Sequence, residues 1–333
     1  MSSVDTKKII TSIKQGDLKP IYFLMGEEAF FIDTISDYIE DTVLTEEEKG
    51  FNQTVFYGRD VTIDDIVGSA KRFPMMAERQ VIIVKEAQDL SRTIENLVSY
   101  VENLQPTTVL VLCYKYKKLD ARKKLAKAIK KVGVLMESKK VYDNQIPKWI
   151  ESTLSVQGHS ITPKASAMLA EYLGTDLGKI NNELNKLRSV IAKGAQITPE
   201  LVEENIGISK DYNSFELIKA IGSKNIKKTF AIAQYFEHNP KSNPLVMTIA
   251  TLYGFFSKML KYHAVSNKDN AAKALGVSPY FINDYHTAGR NFNMRKVSMI
   301  ITYLHETDVK SKGVGSNASN SDLLKELLIK IFS

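Results

Sequence analysis

Along the first 140 residues the hydrophobic pattern switches repeatedly between two periods. Short apolar, β-branched runs at 21–25, 51–57, 81–85, 107–113 and 134–136 have the length and composition of strands. Between them, apolar positions at helical spacing predict helices over 29–41, 63–72, 93–102 and 119–131, with a short amphipathic helix at 4–15 stopped by Gly16. Strands alternating with helices in this way predict a parallel sheet covered on both faces. Beyond residue 140 the β signal ends. Helices are predicted over 144–156, 163–173, 177–192 and 199–205. Two of them open on Thr-Pro, where the hydroxyl caps and proline takes the first helical position. Longer helices follow, with stripes through Leu245, Ile249, Leu252, Phe256 and Met259 and, at the end, Leu323, Leu324, Leu327, Leu328 and Ile331. The expected organisation is α/β over 1–140, a small helical domain over 141–210 and a second helical domain over 211–333.

One stretch departs from the ordinary distribution of apolar bulk. In residues 70–87, AKRFPMMAERQVIIVKEA, Pro74 stops a helix and the strand follows within a few residues. Phe73, Met75 and Met76 sit in the connection, although connections normally run over the surface. Either the three side chains cap the core beneath the helix, or the methionines stand out and enter a pocket on another protein, as adaptable thioether anchors can. Because a helix between parallel strands runs antiparallel to them, this connection falls at the edge where the strands begin.

Ligands of open parallel sheets sit at the opposite edge, where the strands end. A nucleotide-hydrolysing version would carry G-x-x-x-x-G-K-[ST] after the first strand. This chain has GEEAFFID at 26–33, without the second glycine, the lysine or the hydroxyl, and with two carboxylates that repel a triphosphate. After the third strand, Lys85 stands where a Mg²⁺-holding aspartate would be. Glu27-Glu28 and Asp64-Asp65 read as first-turn helix acids that favour the dipole rather than as catalytic pairs. No nucleophile elbow, histidine ligand spacing or dinucleotide fingerprint is present, so no catalytic residue, cofactor or metal is expected.

Composition narrows the setting. No run approaches the ~20 apolar residues of a membrane span, and the first residues lack the apolar core of a secretory signal. The single cysteine, Cys113, excludes an internal disulfide and points to a reducing, cytoplasmic setting. The excess of 45 basic over 38 acidic residues permits contact with nucleic acid without requiring it. Basic side chains concentrate over 115–140, where Lys123, Lys124 and Lys127 form either a solvated outer face above Leu125, Ile129 and Val132 or a contact for DNA phosphates or an acidic partner.

Four segments in order carry a resemblance over essentially the whole chain: PIYFLMGEE at 20–28, FPMMAER at 73–79, DLGKINNEL at 176–184 and HETDVKSKG at 305–313, followed by the leucine-rich last helix. The chain thereby resembles the delta subunit of the bacterial DNA polymerase III clamp loader. The resemblance implies an AAA+-like α/β module that does not hydrolyse ATP, a small helical lid and a helical collar. It implies assembly with the tau/gamma ATPases and delta-prime through the collar, contact with primer-template DNA through the complex, and a place in the DNA-directed DNA polymerase III holoenzyme. It further implies that a pair of large apolar residues enters the sliding clamp (beta) and opens one ring interface. By position that pair is Met75 and Met76, with Phe73 shaping the wedge. A P-loop-related ATPase with atypical ligands and a basic DNA-binding protein are the competing readings.

Overall fold

The computed structural model describes residues 2–192, 194–207, 209, 211–277 and 279–333. The chain divides into two compact units, Met1–Val141 and Tyr142–Ser333.

In the first unit five parallel strands, β1 (Ile21–Gly26), β2 (Gln53–Tyr57), β3 (Gln80–Lys85), β4 (Thr108–Lys115) and β5 (Val134–Ser138), form one sheet in the order β2-β3-β4-β1-β5. β1, β3 and β4 are buried almost throughout, which explains their unbroken apolar runs: a parallel strand covered on both faces has no polar side to show. Successive side chains alternate between the faces. Ile21, Phe23, Ile82, Val84, Leu110 and Leu112 join a core with Ile63 and Ile66 of the helix Ile63–Ala70 and with Leu125 and Ile129 of the helix Lys124–Val132. The helix Ala29–Thr42 buries Phe31, Ile32, Ile35 and Ile39 and lies along β1, β3 and β4.

Three boundaries differ from the sequence pattern. Residues 46–52 form a helix, Glu46–Asn52, opened by a reciprocal cap between Thr45 and Glu48, so the expected strand at 51–57 begins only at Gln53. The expected helix at 93–102 is a 3₁₀ turn, Ile94–Leu97, followed by a single α-turn, Val98–Val101. The basic helix begins at Lys124 rather than 119, because the Leu119 N–H donates to Met25 Sδ (3.2 Å) and Asp120 is turned toward Arg122, which donates to it from its N–H (2.9 Å) and its guanidinium. Val132 is exposed instead of completing the inner stripe.

Among its described residues the second unit is helical, with one short parallel pair, Ser160–Ile161 with Gln196–Ile197, that is too brief to leave a periodic trace. Its long helix, Leu245–Ala264, buries the expected stripe and packs on Met294–Ser311, which in turn packs on Asn320–Phe332. Phe255, Phe256, Tyr285 and Phe292 form an aromatic cluster in its core, with Phe256 edge-to-face against both Phe255 and Phe292. No helix of the described residues is long and apolar enough to cross a membrane. The α/β sheet module followed by helices is the fold class expected from the sequence.

Candidate functional site

The edge where the strands begin carries the connection between the helix Ile63–Ala70 and β3. A helix leaves its last carbonyls without internal partners. Here they are satisfied from inside the sheet. Ala70 O accepts from Thr108 Oγ1 (2.8 Å) and from the Tyr100 hydroxyl (3.2 Å). The Gln80 side-chain amide donates to Thr108 Oγ1 (2.7 Å) and to the carbonyl of Arg72. Thr108, Gln80 and Tyr100 are all buried. The root of the connection is therefore tied to β3, β4 and the helical segment before β4.

Its tip is tied to the edge of β2. Asn52, buried at the end of the helix Glu46–Asn52, accepts from the Met75 N–H at Oδ1 (2.6 Å) and donates from Nδ2 to Met75 O (2.9 Å) and Glu48 O (3.1 Å). The next residue, Met76, has φ +54°, a left-handed conformation that side chains other than glycine seldom adopt. Phe73 is 77% exposed, Met75 61%, and Met76 fully. These three side chains do not cap the core; they project from an anchored loop. Phe51, one residue before Asn52, is equally exposed at 76%. Periodicity places Phe51 inside a strand. The Thr45-x-x-Glu48 capping box is the available sign of a helix at that point.

The opposite edge is closed to a phosphate. Backbone N–H groups after the first strand are the donors that a phosphate loop offers its ligand. Here the Gly26 N–H donates to Lys117 O (3.1 Å), the Glu27 N–H to Ser138 O (3.1 Å) and the Glu28 N–H to Ser138 Oγ (3.2 Å). Glu28 caps its own helix by accepting from the Phe30 N–H (3.4 Å). A Cβ at Gly26 would lie 2.1 Å from Ser138 O, which shows how closely β5 covers the turn.

Nearby cations are also committed. Lys85 lies 3.0 Å from Glu40, and Lys115 lies 2.9 Å from both Asp33 and Glu86. Burial disfavours charge on Lys115, but its bonds to Glu86 and Asp33 outweigh that and hold its pKa above the ordinary lysine range. Burial pushes the Cys113 thiol up to about 12, which leaves it protonated and inert. Among the described residues no cluster of His, Cys, Asp and Glu could hold a metal ion.

The basic helix starts at this same closed edge. Lys123 lies 3.6 Å from Glu95, and Lys118 3.5 Å from Glu137, while Lys124 and Lys127 are exposed. Lys123 and Lys124 precede or open a helix running back from the end of β4, whereas Phe73, Met75 and Met76 lie where the strands begin. The fold thus separates the two sets of candidate residues rather than joining them in one site.

Residues 22–139 match the family model for the DNA polymerase III delta subunit, and residues 211–331 match the model for the C-terminal domain of the same subunit. The chain is 28% identical to DNA polymerase III subunit delta of Bacillus subtilis (strain 168), over 96% of this chain and 94% of that protein. The solved structure of the Bacillus subtilis DNA clamp loader delta protein aligns with a TM-score of 0.60 at 25% identity, covering 98% of this chain and 99% of the other.

Proposed function

Because this chain belongs to the DNA polymerase III delta-subunit family, we propose that it grips the ring-shaped sliding clamp with Met75 and Met76 and opens one ring interface for loading onto primed DNA. The observation that carries this reading is the exposure of both methionines and Phe73 on a loop whose root and tip are hydrogen-bonded to the sheet. Apolar side chains held out on a fixed backbone are what a protein pocket can desolvate without first ordering the loop. The engaged donors at Gly26, Glu27 and Glu28 support a role without ATP hydrolysis in this chain. In the same reading residues 141–210 form the lid, and residues 211–333 form the collar that joins the tau/gamma ATPases and delta-prime. Primer-template DNA is met through the assembled complex in the cytoplasm, with Lys123, Lys124 and Lys127 as contacts for DNA or for a neighbouring subunit.

The test is capture of the cognate sliding clamp by the full chain and by a Met75→Ala, Met76→Ala double variant. The double variant should keep its circular dichroism spectrum and fail to retain the clamp. Retention with wild-type affinity would show that the wedge lies elsewhere.

A further inference from the structure

We infer that Asn52 is a positioning residue that sets the clamp wedge in its binding conformation before the clamp arrives. This rests on the reading of Met75 and Met76 as the wedge. One carboxamide takes both main-chain groups of Met75, accepting from its N–H at 2.6 Å and donating to its carbonyl at 2.9 Å. The pairing imitates one rung of a strand ladder and fixes the peptide planes on either side of Met75. Its third bond, to Glu48 O at 3.1 Å, anchors the carboxamide to the last turn of its own helix.

The consequence falls on Met76. A left-handed methionine persists only where its surroundings hold it, and the preceding residue is the one that Asn52 clamps. The backbone is thereby turned so that Met76 stands fully in solvent beside Met75. A helix end needs none of this for its own stability, since the bond to Glu48 O alone would finish the turn. The two additional bonds span 23 residues of sequence and converge on the residue that begins the wedge. Without them the loop would sample other conformations, and clamp affinity would fall by the fraction of time it spends outside the competent one.

Three full-chain variants test this: Asn52→Ala, Asn52→Asp, and Asn52→Ala combined with Met76→Ala. The readouts are titration against fluorescently labelled cognate clamp and amide hydrogen exchange without clamp. Asn52→Asp keeps the side-chain volume and the acceptor for the Met75 N–H but loses the donation to its carbonyl. In Asn52→Ala, clamp affinity should drop about tenfold, as expected if the competent fraction falls to about one tenth. Exchange at the Met75 amide should accelerate in Asn52→Ala while β3 and β4 amides keep their rates; Asn52→Asp, which still accepts from that N–H, should lose clamp affinity in the same direction. In the Met76→Ala background the Asn52→Ala effect on affinity should shrink, because a residue acting through the wedge has less to act on.

Wild-type affinity in either single variant would overturn the inference. So would unchanged Met75 exchange in Asn52→Ala. If β3 and β4 also exchange faster in Asn52→Ala, Asn52→Asp becomes the deciding variant: wild-type affinity there overturns the inference, and a loss of affinity with β3 and β4 rates unchanged supports it. Clamp retention by the Met75→Ala, Met76→Ala variant would instead refute the wedge assignment, while the exchange measurements still decide whether Asn52 fixes the loop.

Discussion

Replacing Met76 by alanine removes a side chain that is wholly in solvent, whereas Met75→Ala removes one that is 61% exposed and partly settled on its own protein. The two substitutions should therefore differ in their effect on the clamp. Fully burying a methionine contributes about 1.5–3 kcal/mol, against which fixing its rotamers costs about 0.5–1.5 kcal/mol. For Met76 the whole side chain is available, so Met76→Ala should cost about 1–2 kcal/mol, or about 5- to 30-fold in Kd. Met75 has less area left to lose, so Met75→Ala should cost about half as much, roughly two- to fivefold. The loss should come mainly as faster dissociation, measurable by stopped-flow displacement of labelled clamp. Met76→Gly separates side chain from backbone. Glycine adopts the left-handed conformation freely, so this variant should fold at least as stably as Met76→Ala and still bind the clamp weakly. Wild-type affinity in Met76→Ala, or a much larger loss in Met75→Ala, would refute the reasoning from exposed area.

Glu216→Gln should destabilise the second unit in a pH-dependent way. The Glu216 carboxylate is buried and accepts from Lys164 (3.0 Å) and Lys228. Burial would raise its pKa, but the bonds from Lys228 and Lys164 outweigh this and hold it below the ordinary range. A lowered folded-state pKa means the contribution is complete above the ordinary carboxylate value of about 4.3 and is lost as pH falls through the lowered one. Denaturant titrations should show a deficit of about 1–3 kcal/mol at neutral pH, discounted for the partly exposed lysines, that shrinks under acid. Gly26→Ala should cost at least about 3 kcal/mol or prevent folding of the first unit, because the added Cβ meets Ser138 O in a backbone with φ +126°; thermal unfolding reports it. Labelled ATP in equilibrium dialysis should show no saturable binding at micromolar concentration. Micromolar affinity with turnover would favour an enzyme.

The sheet was legible because β1, β3 and β4 are buried on both faces and so read as uninterrupted apolar runs. The long helices were legible because one stripe meets the core, as with Leu245, Ile249, Leu252, Phe256 and Met259. Short elements were not. A seven-residue helix such as Glu46–Asn52 contributes too few apolar positions to set a period, and Phe51 in its last turn looks like the start of the β-prone run that follows. The loop of Phe73, Met75 and Met76 stood out by its composition, but pattern alone could not say whether it faced inward. That choice depends on Asn52 and Thr108, which bond Met75 and the helix-ending carbonyl of Ala70 from 23 and 38 residues away, beyond any local window. Likewise, GEEAFFID shows that a phosphate loop is missing, but only the packing of Lys117 and Ser138 against the turn shows where the backbone donors go.

Amide hydrogen exchange of the full chain with and without the cognate clamp asks most directly which end of the sheet meets the ring. Slowed exchange confined to residues 73–79 and the neighbouring turn at 51–52, with the 26–28 turn and the helix Lys124–Val132 unchanged, is the predicted footprint. Protection at the basic helix or the closed strand ends, with none around Met75 and Met76, would contradict it.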